Sequence, residues 1–202
     1  PKKLLKEKWA NWRATKEERA AEKSDAITPA RVFIELNKNA PTKGVMCVDV
    51  GNNAYSFGQY FESRDHHFLM SGYLGSIGFA LPASIGAWAA TKGKTPIIAV
   101  AGDGGFGQYM AELTTLVKYQ IPVKLILINN NQLAKISKEQ RVLELDVWET
   151  NLSNPKFSEY ATSCGMVGLH AENNAELEEK MKELFTIEGP ALLEIMTDPD
   201  KM

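Results

Sequence analysis

Short, continuous apolar runs alternate with helix-forming stretches along most of this 202-residue chain. Runs of Val, Ile and Leu without polar alternation are typical of parallel strands that are buried on both faces. Strands of this kind separated by helices indicate an α/β fold, with a doubly wound, mostly parallel sheet and helices on both of its faces. The predicted strands are VMCVDV (45–50), HFLMS (67–71), PIIAVAG (96–102), VKLILIN (123–129), MVGLH (166–170) and ALLEIM (191–196).

Helix-forming stretches fill most of the gaps between these runs. Ser24-Asp25 and Thr28-Pro29 supply cap and first-turn signals for a helix that continues through Leu36. Further helices are predicted at about 79–90, at about 106–119, after a cap at Asn154-Pro155, and at 175–185.

The first 24 residues differ in character from the rest of the chain. Residues 2–23 are rich in strong helix formers and place Leu5, Trp9 and Trp12 on one helix face. We interpret residues 1–24 as a helical linker or the tail of a preceding domain, and residues 25–202 as the main domain. Docking of the tryptophan face on the chain's own core is the alternative.

Composition excludes several classes of function. A formal net charge of −2 with both signs interspersed offers no basic surface for nucleic acid. No apolar run approaches the roughly 20 residues that span a bilayer. Cys47 and Cys164 form no CxxC pair, which favours reduced thiols and a cytoplasmic protein. The chain opens at Pro1 on a polar segment with no secretory signal, and we expect it to be part of a longer protein.

A glycine-rich segment follows the strand at 96–102. It reads Gly102-Asp103-Gly104-Gly105 and opens onto a helix. Glycines at such a position let backbone N–H groups approach a phosphate, and a helix N-terminus adds partial positive charge. A carboxylate in the same place suits a phosphate site only when a divalent cation such as Mg²⁺ lies between them.

Amide side chains follow the next strand, at Asn129-Asn130-Asn131-Gln132. The carboxyl ends of successive parallel strands lie at the same edge of a sheet, so these oxygens are expected close to Asp103. The two features together predict a metal-assisted phosphate site. A turn followed by an ordinary polar loop is the alternative.

The segment from Gly102 to Gln132 resembles the thiamine-diphosphate motif of the pyruvate oxidase, acetolactate synthase and pyruvate decarboxylase superfamily. The resemblance implies that Asp103, Asn130 and the main-chain carbonyl of Gln132 bind Mg²⁺. It also implies that Gly104 and Gly105 offer backbone N–H groups to the diphosphate of the cofactor.

A second stretch, SGYLGSIGFALPASIGA (71–87), resembles the superfamily segment that grips the aminopyrimidine ring of the cofactor. The resemblance implies that Ile77 is the apolar wedge that keeps the cofactor bent. The Gly75 carbonyl would accept a hydrogen bond from the 4′-amino group, and the Ile77 N–H would donate to the ring. An ordinary core isoleucine is the alternative for Ile77.

Three further residues follow from the same resemblance. Gly51 and Asn52 lie in a loop similar to one that contacts the diphosphate from the other side. Glu139 matches an acidic residue that borders the active site of pyruvate oxidases, although a solvated surface charge explains it equally well. Ala134 and Lys135 depart from the glycine and aromatic residue usual in those oxidases.

The resemblance implies the C-terminal cofactor-binding domain of an enzyme that decarboxylates a 2-oxo acid such as pyruvate and then oxidises or ligates the product. The KISKEQ segment and the tryptophan-bearing first helix favour the pyruvate oxidase-like branch. Acetolactate synthase, a simple 2-oxo acid decarboxylase and a naturally separate subunit of a two-chain enzyme are alternatives. Outside enzymes, the alternative is a nucleotide-binding regulatory α/β module that needs no divalent metal.

Enzymes of this superfamily complete the site with other domains. An amino-terminal pyrimidine-binding domain of a partner subunit supplies the glutamate that faces the pyrimidine, and a middle domain often binds FAD. The resemblance therefore implies a homodimer or homotetramer, and we expect the 202-residue chain alone to be inactive.

Overall fold

The strands form one parallel sheet. In a computed structural model, which describes residues 1–21 and 26–199, six strands pair in the order β2-β1-β3-β4-β6-β5, and each neighbouring pair is parallel. They are β1 (Lys43–Val48), β2 (Asp65–Met70), β3 (Ile97–Gly102), β4 (Lys124–Asn129), β5 (Val167–Ala171) and β6 (Ala191–Met196). Each coincides with a predicted run to within two residues, and the predicted doubly wound α/β fold is confirmed.

Helices connect the strands. They are α1 (Lys2–Ala21), α2 (Pro29–Asn39), α3 (Asn52–Tyr60), α4 (Ala80–Ala90), α5 (Asp103–Tyr109), α6 (Leu113–Lys118), α7 (Ala134–Val142), α8 (Phe157–Ser163) and α9 (Asn174–Thr186), with a 3₁₀ turn at Met110–Glu112 between α5 and α6. Thr28 caps α2 as predicted, because its hydroxyl accepts a hydrogen bond from the Arg31 N–H. The Ser24-Asp25 signal and the proposed domain boundary at residue 24 lie outside the described residues.

Two helix predictions need correction, and two helices were missed. The single helix expected at about 106–119 begins earlier, at Asp103, and the 3₁₀ turn interrupts it. The helices α3 and α7 were not predicted. Asn154 does not cap α8, which begins after Lys156; the side chain of Asn154 instead forms hydrogen bonds to residues at the ends of β3 and β4.

The core lies on both faces of the sheet. Along β1, Met46 and Val48 pack in a cluster with apolar residues of α2, α3 and α9. Val45 and Cys47 alternate with them and pack in a second cluster with residues of α4, α6 and α8. Because side chains alternate across a strand, continuous apolar runs bury both faces at once.

The first helix rests on this same domain through mainly polar contacts. Trp12 donates from Nε1 to the Gln59 carbonyl at 2.9 Å, and Lys16 pairs with Glu62. Trp9 is 53% exposed. Docking of α1 is thus partial, and its interpretation as a linker stays a prediction. No described helix is both long and apolar enough to cross a membrane.

The strand order places a ligand cleft. From β1 the chain moves outward to β2 and then returns to β3 on the other side of β1. In doubly wound sheets, ligands bind beyond the carboxyl ends of the strands at this point of reversal. The fold therefore directs attention to the residues that follow β1 and β3.

Candidate cofactor-binding site

A cleft of about 240 Å³ lies beyond the carboxyl ends of β1, β3, β4 and β6. It brings together eight of the residues that the sequence predicted for the site, namely Gly51, Asn52, Ile77, Asp103, Gly104, Gly105, Asn130 and Gln132. They come from four separate segments of the chain. Gly75 and Glu139 are not among the described residues that line the cleft.

Asp103 is the first residue of α5 and is 4% exposed. Its Oδ2 accepts a hydrogen bond from Nδ2 of Asn154 at 2.7 Å. Burial raises the pKa of Asp103, although hydrogen bonds from Asn154 and from backbone N–H groups oppose that shift. A buried carboxylate held by neutral donors favours binding of a cation, which stabilises its ionised form.

Asn130 and Gln132, which carry neutral amide oxygens, line the same cleft as Asp103. Oδ1 of Asn130 accepts from the Gln132 N–H at 3.1 Å, which fixes the turn after β4. Nε2 of Gln132 donates to Asn151, and its Oε1 is buried without a hydrogen-bond partner in the described part of the chain. An unpaired buried oxygen in a cleft is available to a ligand, but it is a side-chain oxygen, and the predicted role of the main-chain carbonyl of Gln132 stays a prediction.

The chemistry of these donors fits Mg²⁺. One carboxylate and neutral oxygens are hard ligands, and Mg²⁺ is usually held by one or two carboxylates together with phosphate oxygens and water. Within residues 1–21 and 26–199, no group of three or more His, Cys, Asp or Glu side chains could hold a metal. A cation at Asp103 would therefore depend on oxygens from the amides and from the bound ligand.

Two glycines of the Gly102–Gly105 segment leave little space for a side chain. A Cβ at Gly104 would lie 2.6 Å from Cδ2 of Leu133, and a Cβ at Gly105 would lie 2.8 Å from Oδ2 of Asp49. Across the cleft, Gly51 precedes α3 with a φ of +114°, which side chains rarely adopt. Two helices thus begin at the cleft, and the first N–H groups of a helix lack intrahelical partners.

Ile77 lies on the loop between β2 and α4. It is partly buried, lines the cleft, and belongs to neither of the two core clusters formed by the described residues. Gly75 precedes it with a φ of +64°, and a Cβ there would be 4.0 Å from the Val50 side chain, a cleft residue. The structure places both residues at the cleft side of the sheet, and their roles toward a cofactor stay predictions.

Glu139 lies one turn along α7 from a residue of the cleft wall. Its carboxylate pairs with Lys135, which lines the cleft and lies 5.3 Å from the ring centroid of Tyr55. Lys135 therefore brings a positive charge to the cleft where the sequence comparison expected an aromatic residue. A direct role for Glu139 stays a prediction, because it reaches the cleft through Lys135.

The most informative residue that sequence reasoning missed is Asn154. It was interpreted as a helix cap, the usual role of Asn before Pro, yet its amide contacts Asp103, Asn129 and Asn131. Asp49, near the end of the predicted VMCVDV strand, is a second residue to which the sequence assigned no role. It is 1% exposed and accepts hydrogen bonds from the segment that follows Ile77.

A reversal-point cleft lined by a buried carboxylate, neutral oxygens and the starts of two helices defines an α/β domain suited to a phosphorylated ligand. Comparison with known proteins specifies the class of ligand. Residues 49–195 match the family model described as "Thiamine pyrophosphate enzyme, C-terminal TPP binding domain". The chain therefore belongs to this family, whose cofactor is also called thiamine diphosphate, and the predicted superfamily is confirmed.

Curated relatives agree with this assignment. The chain is 30% identical over 92% of its length to the putative thiamine pyrophosphate-containing protein YdaP of Bacillus subtilis. It is 33% identical over 85% of its length to the mitochondrial acetolactate synthase catalytic subunit of Saccharomyces cerevisiae, and 30% identical over 86% to the acetolactate synthase isozyme 2 large subunit of Escherichia coli. It covers 32%, 26% and 32% of those proteins, which is between about a quarter and a third of their length.

Proposed function

We propose that this chain is the cofactor-binding domain of an enzyme that uses thiamine diphosphate and Mg²⁺ to decarboxylate a 2-oxo acid such as pyruvate. The observation that carries the proposal is the meeting of Asp103, Asn130 and Gln132 in one cleft, beyond the adjacent strands β3 and β4. When bound, thiamine diphosphate supplies the electron sink for loss of carbon dioxide from such an acid. The protein supplies binding, orientation and exclusion of water.

Each part of the cleft has a proposed task. Asp103, Asn130 and the main-chain carbonyl of Gln132 hold Mg²⁺. The backbone at Gly104 and Gly105, and at Gly51 and Asn52 on the opposite wall, binds the diphosphate.

The loop after β2 orients the ring end of the cofactor. Ile77 supports the bent form of the cofactor, while the Gly75 carbonyl accepts from its amino group. The partly buried position of Ile77 in the cleft wall supports this division of tasks.

The product is either oxidised or ligated to a second carbonyl compound. The KISKEQ segment favours the pyruvate oxidase-like outcome, whereas two of the relatives described above are named acetolactate synthase. A single assay separates the two outcomes. Pyruvate turnover is followed with an electron acceptor present or absent, and acetolactate formation is measured alongside; acetolactate without use of the acceptor supports ligation.

Another domain is proposed to cover the cleft. The segments that form its walls carry exposed apolar side chains, including Tyr73 and Leu74 on the Ile77 loop and Val142, Leu143 and Trp148 at and beyond the end of α7. Exposed apolar residues that continue from a ligand cleft mark an interaction surface. We propose the pyrimidine-binding domain of a partner subunit as the occupant, in a homodimer or homotetramer, and FAD on a middle domain outside these residues.

Titration of cofactor binding tests the proposal. In the intact protein, calorimetry should show that thiamine diphosphate binds only with Mg²⁺ present, and that Asp103→Ala abolishes this binding because the remaining oxygens are neutral. Asp65→Ala, at an exposed position that pairs with Lys43, is the matched control and should bind normally. Unchanged affinity in Asp103→Ala would rule out the metal assignment, and nucleotide binding without metal would favour a regulatory module.

The 202-residue chain alone is expected to fold but to release no carbon dioxide from pyruvate or bulkier 2-oxo acids. The reason is that the proposed partner domain supplies the acid that faces the pyrimidine ring, and proton transfer needs that group. Circular dichroism verifies folding in the same samples. Turnover at enzyme-like rates would place the missing acid within this chain.

A further inference from the structure

A series of hydrogen-bonded side chains connects the candidate metal site to the buried carboxylate of Glu194, on strand β6. Asn154 donates to Asp103 at 2.7 Å and to Oδ1 of Asn129 at 3.1 Å. Nδ2 of Asn129 donates to Oε1 of Glu194, on the neighbouring strand β6, at 2.8 Å. Asn129 and Glu194 are 2% and 1% exposed, so these groups depend on each other for hydrogen bonds.

The hydrogen-bond series ends at the carboxylate of Glu194, which is kept ionised. Oε2 of Glu194 accepts from both the N–H and the hydroxyl of Ser158, and lies 3.2 Å from Nδ1 of His170. Burial alone would raise the pKa of Glu194, but the hydrogen bonds from Ser158 and Asn129 outweigh it and lower the pKa. An ionised carboxylate only accepts hydrogen bonds.

The negative charge of Glu194 fixes which group donates and which accepts in each of these hydrogen bonds. Because Glu194 only accepts, Asn129 must present its NH₂ group to it and its carbonyl oxygen to the opposite side. That oxygen accepts from the Asn131 N–H at 3.1 Å and from Asn154, so Asn154 must in turn present its NH₂ group. The same NH₂ group then faces Asp103. If the amide of Asn129 or Asn154 were reversed, a donor would face a donor or an acceptor would face an acceptor in a buried place, which costs free energy.

We propose that Glu194 and Asn154 are positioning residues for the Mg²⁺ site, with Glu194 setting the orientation of the Asn129 and Asn154 amides so that an N–H donor holds Asp103 while the turn carrying Asn130 is fixed. The inference rests on the proposed function. Residues that hold metal ligands without touching the metal typically change metal affinity by about 10–100-fold when they are replaced.

Glu194→Gln gives a sharp test, because the expected disturbance can be traced atom by atom. The two donors of Ser158 keep an oxygen at the Oε2 position, so the new NH₂ group falls at the Oε1 position and faces Nδ2 of Asn129. Asn129 must then turn over, which places its NH₂ group against the donors of Asn131 and Asn154. Asn154→Ala removes the last link directly.

The measurement is calorimetric titration of Mg²⁺ into the intact protein at a fixed excess of thiamine diphosphate. It yields the half-saturating Mg²⁺ concentration and, separately, the number of competent sites. Asn154→Ala and Glu194→Gln should each raise the half-saturating concentration about tenfold or more, with the site number unchanged. Loss of folded protein would instead lower the site number.

Two further variants separate positioning from general stability. Ser158→Ala removes a hydrogen bond to the same Glu194 carboxylate but leaves the orientation of the Asn129 and Asn154 amides unchanged. It should therefore lower Tm and leave the Mg²⁺ requirement unchanged. Glu194→Gln combined with Asn129→Asp exchanges the carboxylate and the amide between the two positions. The NH₂ group of Gln at position 194 can then donate to the carboxylate at position 129, whose other oxygen still accepts from Asn131 and Asn154. This double variant should recover most of the Mg²⁺ affinity that Glu194→Gln alone loses.

The outcomes distinguish the inference from the function on which it rests. A wild-type protein that binds no thiamine diphosphate overturns both. A wild-type protein that binds it, with Asn154→Ala retaining the wild-type Mg²⁺ requirement, overturns the positioning role alone, as does an equal shift in Ser158→Ala. If Glu194→Gln does not fold, Asn154→Ala decides, because Asn154 is only partly buried.

Discussion

The carboxylate of Asp49, directly after β1, accepts hydrogen bonds from the Gly78 N–H at 2.9 Å and 3.1 Å through its two oxygens. The N–H groups of Phe79 and Ala80 point to the same carboxylate at 3.4 Å and 3.5 Å. One buried acidic side chain therefore fastens the start of α4 to the sheet. Ile77 immediately precedes this fixed point, so its position in the cleft depends on Asp49.

Replacing Asp49 with alanine is expected to lower the free energy of unfolding by about 2–3 kcal/mol, because buried N–H groups lose their acceptor. Asp65→Ala is the matched control, since Asp65 lies on the surface and its pair with Lys43 is exposed on both sides. Urea denaturation monitored by circular dichroism measures both variants. Equal losses would show that the Asp49 contacts contribute no more than a surface ion pair.

Two glycines of α5 provide a second matched pair. A Cβ at Gly105 would lie 2.8 Å from Asp49 and 3.0 Å from the Gly78 nitrogen, whereas a Cβ at Gly107 meets no described atom within 4 Å. Gly105→Ala is therefore expected to lower the free energy of unfolding by about 1–3 kcal/mol through overpacking. Gly107→Ala is expected to raise it by about 0.5–1 kcal/mol, because alanine favours the helix. Similar results in both variants would contradict the packing reason for Gly105.

Ile77→Ala is expected to lower turnover by roughly tenfold or more while changing cofactor affinity far less. The physical reason is that a wedge sets the geometry of the bound cofactor, and small displacements of reacting groups are costly, whereas the metal and diphosphate contacts dominate binding. Steady-state rates at saturating thiamine diphosphate, with calorimetric affinities, test this in the intact protein. Ile77→Leu conserves the side-chain volume and should retain most of the turnover. Wild-type turnover in Ile77→Ala would contradict the wedge role and indicate that Ile77 is an ordinary packing residue.

The strands could be predicted because burial on both faces leaves a local mark, the continuous apolar run, as in the all-apolar Leu125–Ile128 portion of β4. Helix α7 could not, because its AKISKEQRV segment is mostly polar and belongs to the surface. Helix α5 was started too late because Gly104 and Gly105 look like loop residues. Their real constraint is contact with Leu133 and Asp49, which are distant in sequence.

The same limit applies to the site. Asp103 and Asn130 each follow a strand, so topology alone predicts that they meet at one sheet edge. Asn154 forms its shortest hydrogen bond with Asp103, which is 51 positions away in the sequence, and its local sequence is that of a helix cap. The role of Glu194 likewise depends on the pairing of β4 with β6, which no local sequence pattern predicts.

Stability should depend on pH through His170, which lies on β5 between Glu194 and Glu172. Burial alone would lower the pKa of His170, but hydrogen bonds and charges from the two carboxylates outweigh it, so the pKa is raised above its usual value of 6.5. The stabilising contribution is therefore complete below about pH 6.5 and is lost as the pH rises through the higher folded-state pKa. The pKa of Glu194 is lowered, so its own titration lies well below this window.

We expect the free energy of unfolding of the wild type to exceed that of His170→Gln by a full margin at pH 6 and below, and the margin to shrink as the pH is raised above 6.5 through the folded-state pKa of His170. Glu172→Gln removes one of the two carboxylates and should show a smaller decline over the same range. Urea denaturation at half-unit pH intervals in constant ionic strength measures the three curves. Parallel curves for the wild type and His170→Gln would mean that the histidine binds its proton equally well in the folded and unfolded states, and that the pair with Glu194 adds no charge-dependent stability.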